Sequence, residues 1–291
     1  MEWITRLNNA IDYIEENLTE ELNYGKLGQI ACCSPYHFQR MFGYMAEVPL
    51  SEYIRRRKMS RAAAELQSGR DKVIDIALRY GYESPTAFTR AFQNVHGITP
   101  TQARNEGVTL KSFPPVKFQI SIKGAVQMDY RIEKKEAFRI VGVSTPLEKE
   151  IEKNFESVPK FWNKMAFNGT VEKLCSLMNG DPKGVMGVSV HDGECDRWQY
   201  YIAVASTLPV DMLSASVEVE EYIVPEATWA IFSGEGAASS IQELEKQIIT
   251  DWLPSSGYEY ANAPDVEVYF DPNPEHTKYE AWIPVVSKTT D

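Results

Sequence analysis

The sequence is poor in cysteine and in positive charge, and it lacks long apolar runs. Its four cysteines are too few for a disulfide scaffold and form no C-x-x-C pair, so we expect neither a metal nor a cofactor. No stretch approaches the roughly 20 consecutive apolar residues of a membrane span, and no secretory segment follows the first residue. We therefore expect a cytoplasmic protein that has no membrane partner.

The net charge of −11 argues on average against a nucleic-acid partner, but this charge is unevenly distributed. Residues 26–104 contain 12 Lys and Arg against 6 Asp and Glu, whereas residues 108–291 contain 17 against 28. The length of 291 residues favours two domains rather than one. We predict a basic domain over residues 1–107, a linker over 108–125 and an acidic domain over 126–291.

One nine-residue pattern occurs twice in the basic segment. Residues 34–42 (SPYHFQRMF) and 84–92 (SPTAFTRAF) share Ser, Pro, Phe, Arg and Phe. Serine caps helices and proline is favoured in their first turn, so each copy is expected to begin a helix. Because a short helical segment with an Ile-Ala pair precedes each copy, the pattern predicts two helix-turn-helix units.

The second copy has the composition of a helix with one apolar face. Gly81 can adopt the positive φ that a tight turn requires. Phe88 and Phe92 are four residues apart and are expected to pack inward, which leaves Thr89 and Arg90 on the outer face. A short, polar and positively charged outer face is what insertion into a DNA major groove demands.

The acidic segment shows strand-like alternation interrupted by two amphipathic helices, at residues 155–167 and 239–252. These elements form two rounds of strand, strand, helix, strand, strand, which can pair around a pseudo-two-fold axis with a cleft between the halves. The predicted fold class is α+β, with an all-α double helix-turn-helix domain followed by an α+β domain of two such repeats around a cleft.

The basic segment closely resembles the DNA-binding domain of AraC/XylS-family transcription regulators of the MarA/SoxS/Rob branch. The resemblance rests on residues 34–42, 51–58 (SEYIRRRK), 75–82 (DIALRYGY), 88–92 and 97–100 (GITP). The acidic segment resembles a GyrI-like effector-binding domain at residues 128–130, 138–142 and 279–285. Together the resemblances imply a sequence-specific transcription activator whose partners are double-stranded promoter DNA, RNA polymerase and a small-molecule effector.

In this family each helix-turn-helix unit places a recognition helix in the major groove, and two units in one chain imply a monomer on DNA. Arg and Gln side chains can form bidentate hydrogen bonds to guanine and adenine edges. The run 55–58 is either a solvated helix face or a set of phosphate contacts, and its place between the recognition helices favours the latter. The DNA-binding residues implied are Tyr36, His37, Gln39, Arg40, Arg55, Thr86, Thr89 and Arg90.

The acidic segment is rich in aromatic residues that can stack on a bulky hydrophobic ligand and attract its positive charge. In GyrI-like domains of drug-sensing regulators, a glutamate on the last strand meets that charge, and Glu280 occupies the matching place. The alternative for Glu280 is a solvated strand carboxylate. The ligand-binding residues predicted are Glu280, Trp282, Trp198, Tyr200 and Trp162.

Two alternatives to a ligand-responsive regulator remain open. One is a protein that binds DNA constitutively, like Rob, without a tight ligand. The other is a GyrI-like hydrolase with a cleft glutamate, or a sequestering protein, that carries a DNA-binding module. The sequence has no G-x-S-x-G, H-E-x-x-H or nucleotide-binding motif. The presence of a DNA-binding domain in the same chain favours ligand sensing over catalysis.

Overall fold

The computed structural model describes residues 2–119, 127–192, 197–208, 219–237, 239–271 and 276–288. The N-terminal part is built from helices joined by short turns. Its helices are α1 (Glu2–Glu16), α2 (Tyr24–Ala31), α3 (Pro35–Ala46), α4 (Leu50–Ser68), α5 (Val73–Arg79) and α6 (Pro85–His96), followed by a 3-10 turn at Gln102–Arg104.

The two copies of the repeated pattern form helices α3 and α6, as predicted. Ser34 and Ser84 are the N-caps, and each accepts a hydrogen bond of 3.1 Å from the backbone N–H three residues later. Gly81 has a φ of 82° in the turn between α5 and α6. Phe88 and Phe92 are fully buried, so the predicted inward face of α6 is confirmed.

The C-terminal part is built on one antiparallel sheet. Its strands are β1 (Tyr130–Lys135), β2 (Phe138–Pro146), β3 (Val185–Asp192), β4 (Arg197–Ala205), β5 (Glu220–Val224), β6 (Ala227–Gly236), β7 (Tyr258–Tyr260), β8 (Asp265–Tyr269) and β9 (Thr277–Ser287). The order is β1-β6-β9-β8-β3-β4-β2-β5, with β7 paired to β9.

The sheet curls so that its two ends approach each other. Two-residue connections join β1 to β2 and β5 to β6, although these strands lie at opposite ends of the order. Accordingly, the ring of Phe138 on β2 lies 6.4 Å from that of Trp282 on β9. We call the face enclosed by this curl the inner face, and its core includes Trp229 and Trp282.

The opposite face, which we call the helix face, carries α7 (Ile151–Phe167), α8 (Thr170–Leu177) and α9 (Ser240–Gln247). A π-turn (Ile248–Trp252) and α10 (Leu253–Ser255) continue α9. The predicted fold class is confirmed, and the second round has an additional short strand, β7, after its helix. Helix α7 begins earlier than predicted, and α8 was not predicted.

The described part of the predicted linker, residues 108–119, contains no helix or strand. It runs along the helical part, where Asn8 and the backbone of Phe118 exchange two hydrogen bonds of 2.8 and 3.1 Å. The remainder of the linker lies outside the described residues. In the described part of the chain, no helix is both long and apolar enough to cross a membrane.

Candidate functional site

The second recognition helix, α6, presents its predicted polar face to solvent. Thr86 and Arg90 are exposed and Thr89 is half-buried, while the apolar stripe of α6 packs on α4 and α5. Arg55 on α4 is also exposed, with an ion pair to Glu52 one turn away. Four of the predicted DNA-binding side chains are therefore open to contact from outside.

The first recognition helix, α3, has a different environment. All four predicted DNA-binding side chains on it, Tyr36, His37, Gln39 and Arg40, are buried. They lie against the helix face of the C-terminal sheet, between α7 and α9. Gln39 Nε2 donates a 2.8 Å hydrogen bond to the carbonyl of Lys149, just before α7. The expectation of an outward-facing first helix does not hold in this arrangement, because the C-terminal part covers it.

Arg40 forms the electrostatic centre of this contact. Its guanidinium donates to Asp265 Oδ2 at 2.7 Å and pairs with the Glu245 carboxylate, and all three side chains are at most 5% exposed. Burial alone would lower the pKa of Arg40, but Glu245 and its other neighbours hold it well above its ordinary value. Arg40 is thus a desolvated cation between two acids of the C-terminal part.

Aromatic stacking surrounds the ion pairs. The ring of Tyr36 stacks on His191 with centroids 4.0 Å apart, and His191 in turn meets Trp198 edge-on at 4.9 Å. The ring of His37 stacks on Tyr260 at 4.1 Å, and its Nε2 lies 3.2 Å from Asp265 Oδ2. Burial, with the nearby His37, lowers the pKa of His191 well below its ordinary value, so His191 is neutral in this stack.

A carboxylate and three aromatic side chains form a second cluster beside Arg40. Tyr200 donates to Glu267 Oε2 at 2.9 Å, Tyr269 donates to the same oxygen at 3.0 Å, and Trp162 donates to Tyr200 at 2.9 Å. The rings of Trp162 and Tyr269 lie 5.4 Å apart. A Cβ on Gly187 would collide with Tyr200 and Glu267, so glycine at that position in β3 makes room for the cluster.

The pKa values of the acids in this region are shifted in different directions. Burial raises the pKa of Glu267 to about 7, reinforced by Glu245 and opposed by Arg40. Burial also raises the pKa of Glu245, against the pull of Arg40. Burial would likewise raise the pKa of Asp265, but its contacts with His37 and Arg40 outweigh this and lower it. We call the space on the helix face between α7 and α9, where these acids lie, the effector cleft.

The five side chains predicted to bind a ligand do not lie together. Trp162, Tyr200 and Trp198 belong to the helix face, with Trp162 and Tyr200 at the effector cleft and Trp198 further along β4. Trp282 lies on the inner face, and its Nε1 donates to Glu280 at 2.8 Å. Glu280 also pairs with Arg131 at 2.9 Å. Strand alternation separates Glu280 and Trp282 from the other three, and a ligand contact at Glu280 stays a prediction.

The acids that the structure brings to the cleft were not predicted from the sequence. Glu267 stands between Val266 and Val268, and its neighbours fill the inner-face core, so alternation alone places it on the helix face. Glu245 is four residues after Ile241 and three before Ile248, which puts it in the buried stripe of α9. An acid at an apolar position of a strand or helix was the available signal.

The cysteines and possible metal ligands show no assembled centre among the residues that the structure describes. No group of three or more His, Cys, Asp or Glu there is placed to hold a metal ion. Cys32 is exposed and Cys33 is half-buried, and Cys195 lies outside the described residues.

An exposed basic helix-turn-helix face joined to a sheet domain with an acidic, aromatic cleft defines the class of DNA-binding regulators that carry a small-molecule domain. The model of a GyrI-like small molecule binding domain matches residues 128–286, and the model of a helix-turn-helix domain matches residues 27–106. The chain belongs to the GyrI-like family, and its N-terminal part is an AraC-type transcription-regulator domain.

Relatives of the N-terminal part are transcriptional regulators. Over 98 residues the chain is 39% identical to the HTH-type transcriptional activator AarP of Providencia stuartii, covering 34% of this chain and 73% of AarP. It is 35% identical to the multiple antibiotic resistance protein MarA of Escherichia coli, covering 34% and 77%. The structure of SAV2435 bound to tetraphenylphosphonium aligns with a TM-score of 0.47 at 20% identity, covering 55% of this chain and 94% of that one.

Proposed function

We propose that this protein is a transcription activator that binds promoter DNA as a monomer in the cytoplasm, at the nucleoid, and contacts RNA polymerase. Two helix-turn-helix units in one chain support the monomer, because each supplies one groove contact. The relatives described as regulators support a non-enzymatic role. The proposed division is a DNA-binding domain over 1–107, a linker over 108–125 and an effector domain over 126–291.

The effector that we propose is a bulky hydrophobic cation. The observation that carries this proposal is Glu267, a carboxylate in the effector cleft whose neighbours are the rings of Trp162, Tyr200 and Tyr269. Aromatic faces attract cations and also bury apolar ligand surface. A carboxylate in a desolvated aromatic site favours a poorly hydrated organic cation over a strongly hydrated ammonium.

The DNA-binding part of the proposal is tested with the full-length chain. A duplex selected from a random library is titrated at several salt concentrations, and affinity should fall steeply with salt. Arg90→Ala should weaken the selected complex by about 1–3 kcal/mol and relax the sequence preference, because Arg90 is exposed on α6. Equal binding of the selected duplex and of random DNA would contradict sequence-specific recognition.

The ligand part is tested by calorimetry with tetraphenylphosphonium, a rigid lipophilic cation. At pH 8, above the raised pKa of about 7 at which Glu267 ionises, Glu267→Gln should weaken binding at least tenfold, because it removes the carboxylate among the aromatic rings and keeps the shape of the side chain. Glu280→Gln is the matched variant on the inner face. Loss of binding on Glu280→Gln, with Glu267→Gln unchanged, would assign the counter-charge to the last strand instead.

A further inference from the structure

The effector cleft already contains a cation, and that cation belongs to the DNA-binding part. Arg40 enters from α3 and pairs with Asp265 on β8 and Glu245 on α9. Its guanidinium also lies 5.9 Å from the centre of the Tyr36 ring and 5.8 Å from that of Tyr44. A positive group held by carboxylates and aromatic rings is the chemistry proposed above for the effector.

The internal repeat provides a comparison within the same chain. Arg40 and Arg90 occupy equivalent positions of the two copies, one in α3 and one in α6. Arg90 is exposed, whereas Arg40 is 4% exposed. The N-caps and the inward phenylalanines are alike in the two copies. The difference between the arginines therefore comes from the contact with the C-terminal part rather than from the helix-turn-helix unit.

The contact between α3 and the cleft is not filled completely. A cavity of about 50 Å³ lies between Arg40, Tyr200, Glu245 and Glu267. A groove of about 410 Å³ between α3 and α7 leads from the surface to Arg40, with the half-exposed Phe155 at its side. A ligand entering along this groove would reach the acids that hold Arg40.

Some polar groups at this contact are poorly satisfied. Gln39 Oε1, Tyr260 Oη and Asp265 Oδ1 are buried and have no hydrogen-bond partner within the described part of the chain. A buried polar atom without a partner is unfavourable, because it has lost its hydrogen bonds to water and gained none in the protein. Withdrawing α3 would return these atoms to water, which lowers the cost of opening the contact.

Helix α3 cannot contact DNA and the C-terminal part at the same time. Tyr36, Gln39 and Arg40 cannot contact base edges while the sheet and α7 cover them. We propose that α3 is an internal occupant of the effector cleft and that this contact prevents the first recognition helix from binding DNA. A lipophilic cation that takes the place of Arg40 beside Glu245 and Glu267 frees α3 to bind DNA. This inference rests on the proposed function and adds the coupling between its two sites.

Thermodynamic linkage predicts the direction in which cation binding changes the affinity for DNA. DNA and the cation both bind the open state, so each ligand raises the affinity for the other. With wild-type full-length protein, saturating tetraphenylphosphonium should tighten binding of the selected duplex by roughly 5–150-fold. A duplex affinity that stays the same or weakens when the cation is bound would overturn the inference and leave the proposed function standing.

Two arginine variants are distinguished by their affinity for the cation. Arg40→Ala leaves Glu245 and Asp265 without their cation and should therefore tighten tetraphenylphosphonium binding about tenfold or more. Arg90→Ala, the matched variant in the second repeat, should weaken duplex binding and leave cation binding unchanged. If Arg40→Ala and Arg90→Ala have equal cation affinities, Arg40 does not compete for the cleft and the inference is wrong.

A carboxylate variant tests the closed contact without any cation. Glu245→Gln removes one of the two carboxylates that pair with Arg40 and should tighten duplex binding about fivefold or more. Glu221→Gln, on the distant strand β5, should leave duplex binding unchanged. Equal duplex binding by wild type and Glu245→Gln would overturn the inference. If no variant distinguishes the selected duplex from random DNA, the proposed function fails as well. Melting curves of each variant establish that it folds.

Discussion

Tyr200 donates a 2.9 Å hydrogen bond to Glu267, and Gly187 lies so close beneath both side chains that a Cβ there would collide with them. The backbone of β3 thus forms the floor of the carboxylate cluster. Helix α7 closes it from the other side, where Trp162 donates to Tyr200. The position of the Glu267 carboxylate therefore depends on a glycine of β3 and on aromatic side chains of β4, β8 and α7.

The stability of the protein should depend on pH through Glu267. Because its pKa is raised from 4.5 to about 7, the folded state binds this proton more tightly than the unfolded chain. The contribution of Glu267 to the free energy of unfolding is therefore fully present below pH 4.5 and is lost as pH rises through 7. Glu267→Gln should flatten this slope, measured as urea midpoints at closely spaced pH values.

A control variant shows whether the pH dependence of stability comes from Glu267. Glu221→Gln removes a carboxylate from β5, where it pairs with Arg139 at 2.8 Å, and should keep the wild-type slope. Parallel stability curves for wild type and Glu267→Gln would contradict the assignment of the slope to Glu267.

Gly187→Ala should disturb the cleft from below. The added methyl group must displace Tyr200 or Glu267, and overpacking of this kind costs about 1–3 kcal/mol. Gly43→Ala on α3 is the control, because a Cβ there meets nothing within 4 Å and alanine favours a helix. Urea unfolding should show a loss for the first and no loss for the second. Equal stability of the two variants would mean that the cluster yields without strain.

Phe88→Ala should destabilise the second helix-turn-helix unit. Phe88 is fully buried against Phe92 and Tyr82, and truncation of such a ring costs about 3–5 kcal/mol. Leu78→Ala on α5 is the control, since Leu78 is 58% exposed and its truncation should change stability by less than about 0.5 kcal/mol. Hydrogen exchange within residues 73–96 checks both, and similar protection in the two variants would contradict the packing.

Ser84→Ala should weaken the start of α6. The Ser84 hydroxyl accepts from the backbone N–H of Ala87 at 3.1 Å, and loss of such a cap costs roughly 0.5–2 kcal/mol. Ser84→Asp should restore the cap, because aspartate is an equally good N-cap residue. If Ser84→Asp is no more stable in urea than Ser84→Ala, the hydroxyl does not act as a cap.

Local sequence chemistry determined much of this protein. The doubled Ser-Pro signals fix where α3 and α6 begin, because a cap and a favourable φ act within one turn. Gly81 fixes the turn before α6, and the spacing of Phe88 and Phe92 fixes the buried face. Strand alternation gave the two rounds of the sheet. These features depend on neighbours within a few residues and can be recognised without knowledge of the fold.

Only the tertiary structure decided which side chains share the cleft. Glu280 and Glu267 are both strand glutamates between apolar or aromatic neighbours, and the register of β8 and β9 places them on opposite faces. Arg40 and Arg90 occupy the same position of one repeated pattern, yet one is buried against Glu245 and Asp265 and the other is exposed. Burial of Arg40 depends on acids more than 200 residues away. Such long-range pairing has no periodicity in the sequence, because the folding of the sheet and the seating of α3 between α7 and α9 create it.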